Sequence, residues 1–235
     1  MKNLAIIPAR QGSKGILNKN IKLLCGKPLL QYSIEAARDA GVFDEIFVST
    51  DSEQYAQIAR AAGAGAPFLR SAELAKDGSS TWDAAREAVV KYRELGKEFD
   101  TVAVLQPTSP LRASEDILRG YNIMEEKNAD IVAAVCETNH PPVWENTLPE
   151  DYSLKNFIDM QYAGKPRQAL PSYYRINGAL YIMKTDYLMH HDNYYGVGSY
   201  AVVMSKENSI DIDDLLDFIA AETIIEYKQR GLFAR

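Results

Sequence analysis

From its first residues to Cys136 this chain alternates short apolar runs with amphipathic helical stretches, and that alternation admits few architectures. Leu4 to Ala9 reads as a buried strand, Leu30 to Ala40 as a helix that ends at Gly41, and Glu45 to Ser49 as a second strand. Asp51-Ser52-Glu53 opens another helix through Ala62, and Pro67-Phe68-Leu69 adds a short extended piece. Ser80-Thr81-Trp82-Asp83 has capping-box spacing ahead of a helical run to about Glu94. Thr101 to Leu105 is again an apolar strand, Ser114 caps a helix to about Lys127, and Ile131 to Cys136 is β-branched and buried. Strands that alternate with helices connect as parallel neighbours. The expected fold class is therefore α/β, a mostly parallel sheet with helices on both faces.

The pattern breaks after Cys136. Residues 137–175 combine His140-Pro141-Pro142, Pro149, Pro166 and Pro171 with Trp144, Tyr152, Phe157, Tyr162, Tyr173 and Tyr174, too aromatic for a disordered linker and too proline-rich for a central strand. They read as an inserted lobe of short strands and loops, whose exposed aromatics mark a partner surface. The main fold resumes with Gly178 to Met183, a short helix near Asp186, a strand at Tyr200 to Met204 and a last helix from about Asp213 to Lys228. Nothing divides the chain, so residues 1–235 are expected to form one domain carrying that lobe.

Composition narrows the function classes. No apolar run approaches the roughly 20 residues a membrane helix needs, and the first residues read as a strand, so a cytoplasmic location is expected. A net charge of −6 argues against a broad basic face for nucleic acid. Cys25 and Cys136 are far apart and form no ligand pattern. The adjacent pair His190-His191 and the distant His140 lack metal-ligand spacing.

In an open parallel sheet, ligands bind beyond the carboxyl ends of the strands, where loops and helix N-termini converge. The chemistry-bearing residues fall there. The first acidic residue is Glu35, and the stretch before it sets Arg10, Lys14 and Lys19 on a glycine-containing loop directly after the first strand. Such a loop cradles a polyphosphate, with glycines letting backbone approach and cations neutralising oxygens. It matches neither GxxxxGK[ST] nor GxGxxG, and a solvated basic turn is the other reading, which suits Lys22 and Lys27 best. Asp211 and Asp213, two apart in an extended segment, point to one face. They suit Mg²⁺, which takes carboxylates and phosphate oxygens, or else Asp213 caps the last helix with Asp211 uninvolved.

Eight segments in order resemble the acylneuraminate cytidylyltransferases, or CMP-sialic acid synthetases: Ile7-Pro8-Ala9-Arg10, Ser13-Lys14-Gly15, Lys19-Asn20, Gly26-Lys27-Pro28-Leu29, Val48-Ser49-Thr50-Asp51, Leu105 to Arg112, Arg175-Ile176-Asn177-Gly178 and Asp211-Ile212-Asp213. The resemblance implies a nucleotidyltransferase, Rossmann-like sheet with an inserted dimerisation lobe. It implies transfer of CMP from CTP to the anomeric hydroxyl of a nonulosonic acid, with pyrophosphate released. N-acetylneuraminate is the first expected acceptor and legionaminate the second. By position, Arg10 and Lys19 would grip the triphosphate, with Ser13 and Asn20 adding hydrogen bonds. Pro8 and Ala9 would lie against cytosine, and Gln106 and Ser109 would face the sugar acid. Arg167 and Arg175 would neutralise carboxylate or phosphate, Arg167 in the partner subunit's site, and Asp211 and Asp213 would hold Mg²⁺. Competing expectations are a cytidylyltransferase for pseudaminate or for the eight-carbon lipopolysaccharide acid, and a nucleotide-binding module without catalysis.

Overall fold

The computed structural model describes residues 1–12, 15–76 and 78–232. In chain order these form β1 (Asn3–Pro8), β2 (Leu23–Leu24), β3 (Lys27–Pro28), α1 (Leu29–Ala40), β4 (Glu45–Ser49), α2 (Glu53–Ala61), α3 (Thr81–Glu94) and β5 (Thr101–Val104). There follow α4 (Ser114–Glu126), β6 (Ile131–Glu137), β7 (Tyr174–Lys184), α5 (Thr185–His190), β8 (Ser199–Met204) and α6 (Leu215–Gln229). Six strands make the main sheet in the order β4-β1-β5-β7-β6-β8. Only β7 runs against the others, antiparallel to both β5 and β6. The mostly parallel α/β expectation holds.

Strand side chains alternate between two cores, as period-2 geometry requires. Ala5, Ile7, Ala103 and Leu105 pack with Leu30, Ile34 and Ala37 of α1 and Ile117 of α4. Leu4, Ile6, Val102 and Val104 face the other way, onto Ala85, Ala88, Val89 and Tyr92 of α3. A third cluster joins Leu24, Leu29, Leu111 and Ile212 to Phe218, Ala221 and Ile225 of α6. It fixes the last helix beside the carboxyl rim of the sheet.

Helix starts follow local chemistry. Ser52 and Ser80 accept from Tyr55 N (3.5 Å) and Trp82 N (3.1 Å), as their capping positions predict. Ser114 does not cap α4; it is the first helical residue, and Asp116 reaches back to accept from Ala113 N at 3.0 Å. Asp213 does not cap α6 either. Asp214 does, accepting from Leu216 N (2.8 Å) and Asp217 N (3.0 Å), while Asp217 accepts from Asp213 N (2.9 Å) and Asp214 N (3.1 Å). Ser80→Ala is expected to destabilise the fold by about 1 kcal/mol, read as a lower urea midpoint at unchanged slope.

Two stretches depart from expectation. Leu23–Leu24 and Lys27–Pro28 form a hairpin whose two turn residues, Cys25 (φ 46°) and Gly26 (φ 82°), are left-handed, the primed-turn geometry that suits strand twist. Between β6 and β7 the expected short strands are absent among the described residues; only single turns at Pro142–Trp144 and Arg167–Ala169 are regular. Tyr152 there is 77% exposed and Met160 82%.

Candidate active site

The reversed direction of β7 explains why its first residues matter. Parallel strands β1, β4 and β5 end at Pro8, Ser49 and Val104, whereas β7 begins near the same rim with Tyr174 to Gly178. β8 leaves it at Met204, and residues 205–213 follow. A cleft of about 390 Å³ opens at this rim. Pro8, Arg10, Lys19, Asn20, Gln106, Asp211 and Asp213 all line it, as do Gly15 and Thr108.

The Arg10 loop is tied to the segment carrying the carboxylates. Lys19, its side chain only 12% exposed, donates to the Ile212 carbonyl at 2.5 Å and pairs with Asp213 at 3.3 Å. Gly15 comes so close to that segment that a Cβ would overlap the Asp213 carbonyl oxygen. Asn20 is buried, and its amide donates to the Arg10 carbonyl at 3.0 Å, fixing the turn from strand to loop.

Asp211 and Asp213 both face the cleft, and Ile212 between them points into the core, as alternation predicts. Ile212 N donates to the Thr108 carbonyl at 2.8 Å, which joins this segment to the loop after β5. Burial pushes the Asp211 carboxyl above the ordinary value and the charge of Asp213 adds to that, while the Thr108 hydroxyl, Lys19 and Arg175 oppose it. One oxygen, Oδ1, is buried with no hydrogen-bond partner. A buried carboxylate oxygen left unsatisfied beside a second carboxylate is a donor set that fits a hard cation with an oxygen preference.

Gly178 adopts φ 75° for a spatial reason. A Cβ there would lie 2.6 Å from Gln106 Oε1 and 3.6 Å from Asp211 Oδ2, so the missing side chain lets both groups meet over the start of β7. Asn177, itself buried, locks this point: its Nδ2 donates to Ser209 Oγ (2.9 Å) and its Oδ1 accepts from Ala179 N (3.1 Å). Arg175 is exposed and donates to the Ser209 carbonyl at 3.2 Å.

Other expected residues lie elsewhere. Ser109 is wholly buried, and its Oγ reaches neither cleft nor partner. Ala9 is also buried, behind Pro8. Arg167 lines a separate hollow of about 360 Å³, donating to Glu137 (3.4 Å) and the Thr138 carbonyl (3.3 Å). Ser13 falls outside the described residues. Lys27 pairs with Glu35 at 2.7 Å and Lys22 lies over the Phe218 ring, neither on the cleft. His190 contacts Asp186, and His191 stacks on Tyr187, in or beside α5.

Arg70 is a cleft residue that no motif marked. It is 8% exposed, and its guanidinium donates to Ser49 Oγ (3.0 Å) and the Ser49 carbonyl (2.9 Å). Burial lowers its pKa, with Arg10 adding to the effect and Asp51 and Glu87 opposing it. The expected extended piece at Pro67-Phe68-Leu69 is a bend, the isolated parallel bridge lying earlier at Gly65 beside Phe47, and Arg70 is held at the rim by its own N–H donating to the Thr50 carbonyl at 2.8 Å.

A family model described as cytidylyltransferase matches residues 4–230. An N-acylneuraminate cytidylyltransferase of Escherichia coli is 40% identical over 230 residues, 97% of this chain and 53% of that protein. The chain thus spans about half the length of that relative. CMP-N,N'-diacetyllegionaminic acid synthase of Legionella pneumophila is 33% identical over 236 residues, 99% of this chain and 100% of that protein. A pseudaminic acid cytidylyltransferase of Campylobacter jejuni is 32% identical over 233 residues, 99% and 100% respectively. Among solved structures, a CMP:2-keto-3-deoxy-manno-octonic acid synthetase complexed with CTP superposes with a TM-score of 0.74 over 97% of this chain and all of its own. At 17% identity that likeness speaks for the fold. Among the described residues no helix is long and apolar enough to cross a membrane.

Proposed function

The chain belongs to the cytidylyltransferase family, and on that premise we propose that it transfers CMP from CTP to the anomeric hydroxyl of a nonulosonic acid, releasing pyrophosphate. The observation that carries this reading is the convergence of Arg10, Lys19, Gln106, Asp211 and Asp213 on one cleft at the carboxyl ends of the strands. The reaction needs little covalent help from the protein. A hydroxyl attacks the α-phosphate in line while charge moves onto the departing pyrophosphate, so positioning and fixed charge supply most of the acceleration.

Arg10 and Lys19 flank the polyphosphate, and Asn20 holds the loop that presents them. Pro8 lies against the base. Gln106 faces the sugar acid across Gly178, and Arg175 neutralises its carboxylate. Ser109, buried, has no part in contact. Asp211 and Asp213 would hold Mg²⁺, which when bound withdraws charge from phosphate oxygens and lowers the pKa of a coordinated hydroxyl. No side chain acts as nucleophile; trapping a covalent nucleotidyl-enzyme would overturn that assignment. The lobe at 137–175 forms a homodimer contact, supported by its exposed Tyr152 and Met160, and Arg167 serves the partner's cleft.

N-acetylneuraminate is the proposed acceptor, supported by the 40% identity to the E. coli protein. Legionaminate is the second reading, favoured by end-to-end coverage of the Legionella synthase. Initial rates with CTP, Mg²⁺ and each of N-acetylneuraminate, N,N'-diacetyllegionaminate, pseudaminate and the eight-carbon acid decide between them. The highest kcat/KM is expected with N-acetylneuraminate; a higher value with any of the others replaces that choice.

A further inference from the structure

Arg112 is a buried cation with an unusual set of partners. It is 3% exposed, and no described carboxylate lies within ion-pair distance of it. Asp116, the acid whose charge it feels, is already paired with Arg119 at 2.5 Å. Its two terminal nitrogens turn instead to two main-chain carbonyls and one hydroxyl, and its Nε is buried without a hydrogen-bond partner. Nη1 donates to the Ala179 carbonyl at 2.6 Å and to the Gln106 carbonyl at 3.3 Å, and Nη2 to Ser33 Oγ at 2.7 Å. Ser33 Oγ in turn donates to the Gln106 carbonyl at 3.3 Å.

The place of these carbonyls gives the contact its meaning. The β5–β7 ladder ends at the pair Val104 and Tyr181. Beyond it the strands part: the Gln106 carbonyl accepts from Ser109 N (3.2 Å) and Ser33 Oγ as well as from Arg112, while the Ala179 carbonyl turns to Arg112, and a buried carbonyl left unpaired costs about 1–3 kcal/mol. Arg112 takes over where the ladder stops. The carbonyls it holds belong to Gln106 itself and to the residue after Gly178, the two points between which the Gln106 side chain sits. A planar guanidinium spans both at a fixed separation, which a single ammonium does not.

We propose that Arg112 is a positioning residue for the acceptor side of the cleft, setting the Gln106 side chain over Gly178 beside Asp211 through the Gln106 and Ala179 carbonyls. The inference rests on the cytidylyltransferase reading and on Gln106 facing the sugar acid. Arg10, Lys19 and Arg70 hang from other strands and loops, so the nucleotide side should not feel the change.

The test is steady-state kinetics with CTP and the best acceptor of the panel. Arg112→Lys is expected to raise the acceptor KM about tenfold, the range one mispaired polar contact costs, and to leave the CTP KM unchanged. Gln106→Ala should do the same, and the double variant should be no worse than Gln106→Ala alone, because one effect acts through the other. A structural role would raise both KM values together, or make the two effects multiply, and either result overturns the proposal. If Arg112→Lys does not fold, Ser33→Ala decides: a rise in acceptor KM alone supports the proposal, and unchanged kinetics overturn it. A parent protein that releases no pyrophosphate with any acid would instead refute the functional reading itself.

Discussion

Asp211→Asn is expected to lower turnover by about a thousandfold, the upper range for removing one preorganised electrostatic group, while CTP binding without divalent cation survives. Asparagine keeps the size and one carbonyl oxygen but lacks the charge that two carboxylates present to a cation. The same substitution carries an unusual stability prediction. Burial raises the carboxyl pKa above its ordinary 3.8, so between that value and the raised one the folded state binds more protons than the unfolded. Stability contributed by this group therefore falls as pH rises through the window and stays lower at neutral pH. In EDTA at pH 7, Asp211→Asn should melt at a higher temperature than the parent, and the gap should close at a pH below 3.8. Loss of turnover with a higher melting temperature marks a site residue held against stability. A variant that melts lower and turns over normally would remove Asp211 from the cation site.

Lys19→Ala is expected to reduce kcat/KM for CTP by about a hundredfold or more. Its side chain is 12% exposed and joins the Arg10 loop to the carboxylate segment through the Ile212 carbonyl and Asp213. Alanine removes a cation from the rim and leaves that carbonyl unpaired. Lys19→Arg should recover little, since a planar guanidinium does not reproduce the single short contact of the ammonium with the Ile212 carbonyl beside Asp213. Recovery by arginine would show that charge alone matters at this position.

Much of this molecule is legible in its residues. Strands β1, β4, β5 and β6 announce themselves because buried runs alternate with capped helices. The direction of β7 does not, because hydropathy is blind to strand sense. It follows from a connection, 138–173, that contains no crossover helix and returns the chain beside β6 as an antiparallel neighbour. The β2–β3 hairpin is missed for lack of length: two-residue strands carry no period, and only Cys25-Gly26 hints at the turn.

The site divides similarly. Arg10, Lys19, Gln106, Asp211 and Asp213 line one cleft, as their places after strand ends suggest, while the part expected of each comes with the family resemblance. Ser109 differs because its expected contact comes from the resemblance alone, which carries a position in the chain and not the direction of a side chain, here buried. The contacts of Arg70 and Arg112 are opaque for one shared reason: both bond to main-chain carbonyls and serine hydroxyls, and such bonds leave no charge pairing to read in the sequence.

On the proposed function, one cleft holds both CTP and the acid that attacks it. Pyrophosphate release from CTP and Mg²⁺, followed continuously with and without N-acetylneuraminate or N,N'-diacetyllegionaminate, is the decisive measurement. Release that depends on the acid, matches CMP-sugar formed one for one and is abolished in Asp211→Asn is the predicted result. Release at the same rate without any acid, or none with every acid offered, would contradict it.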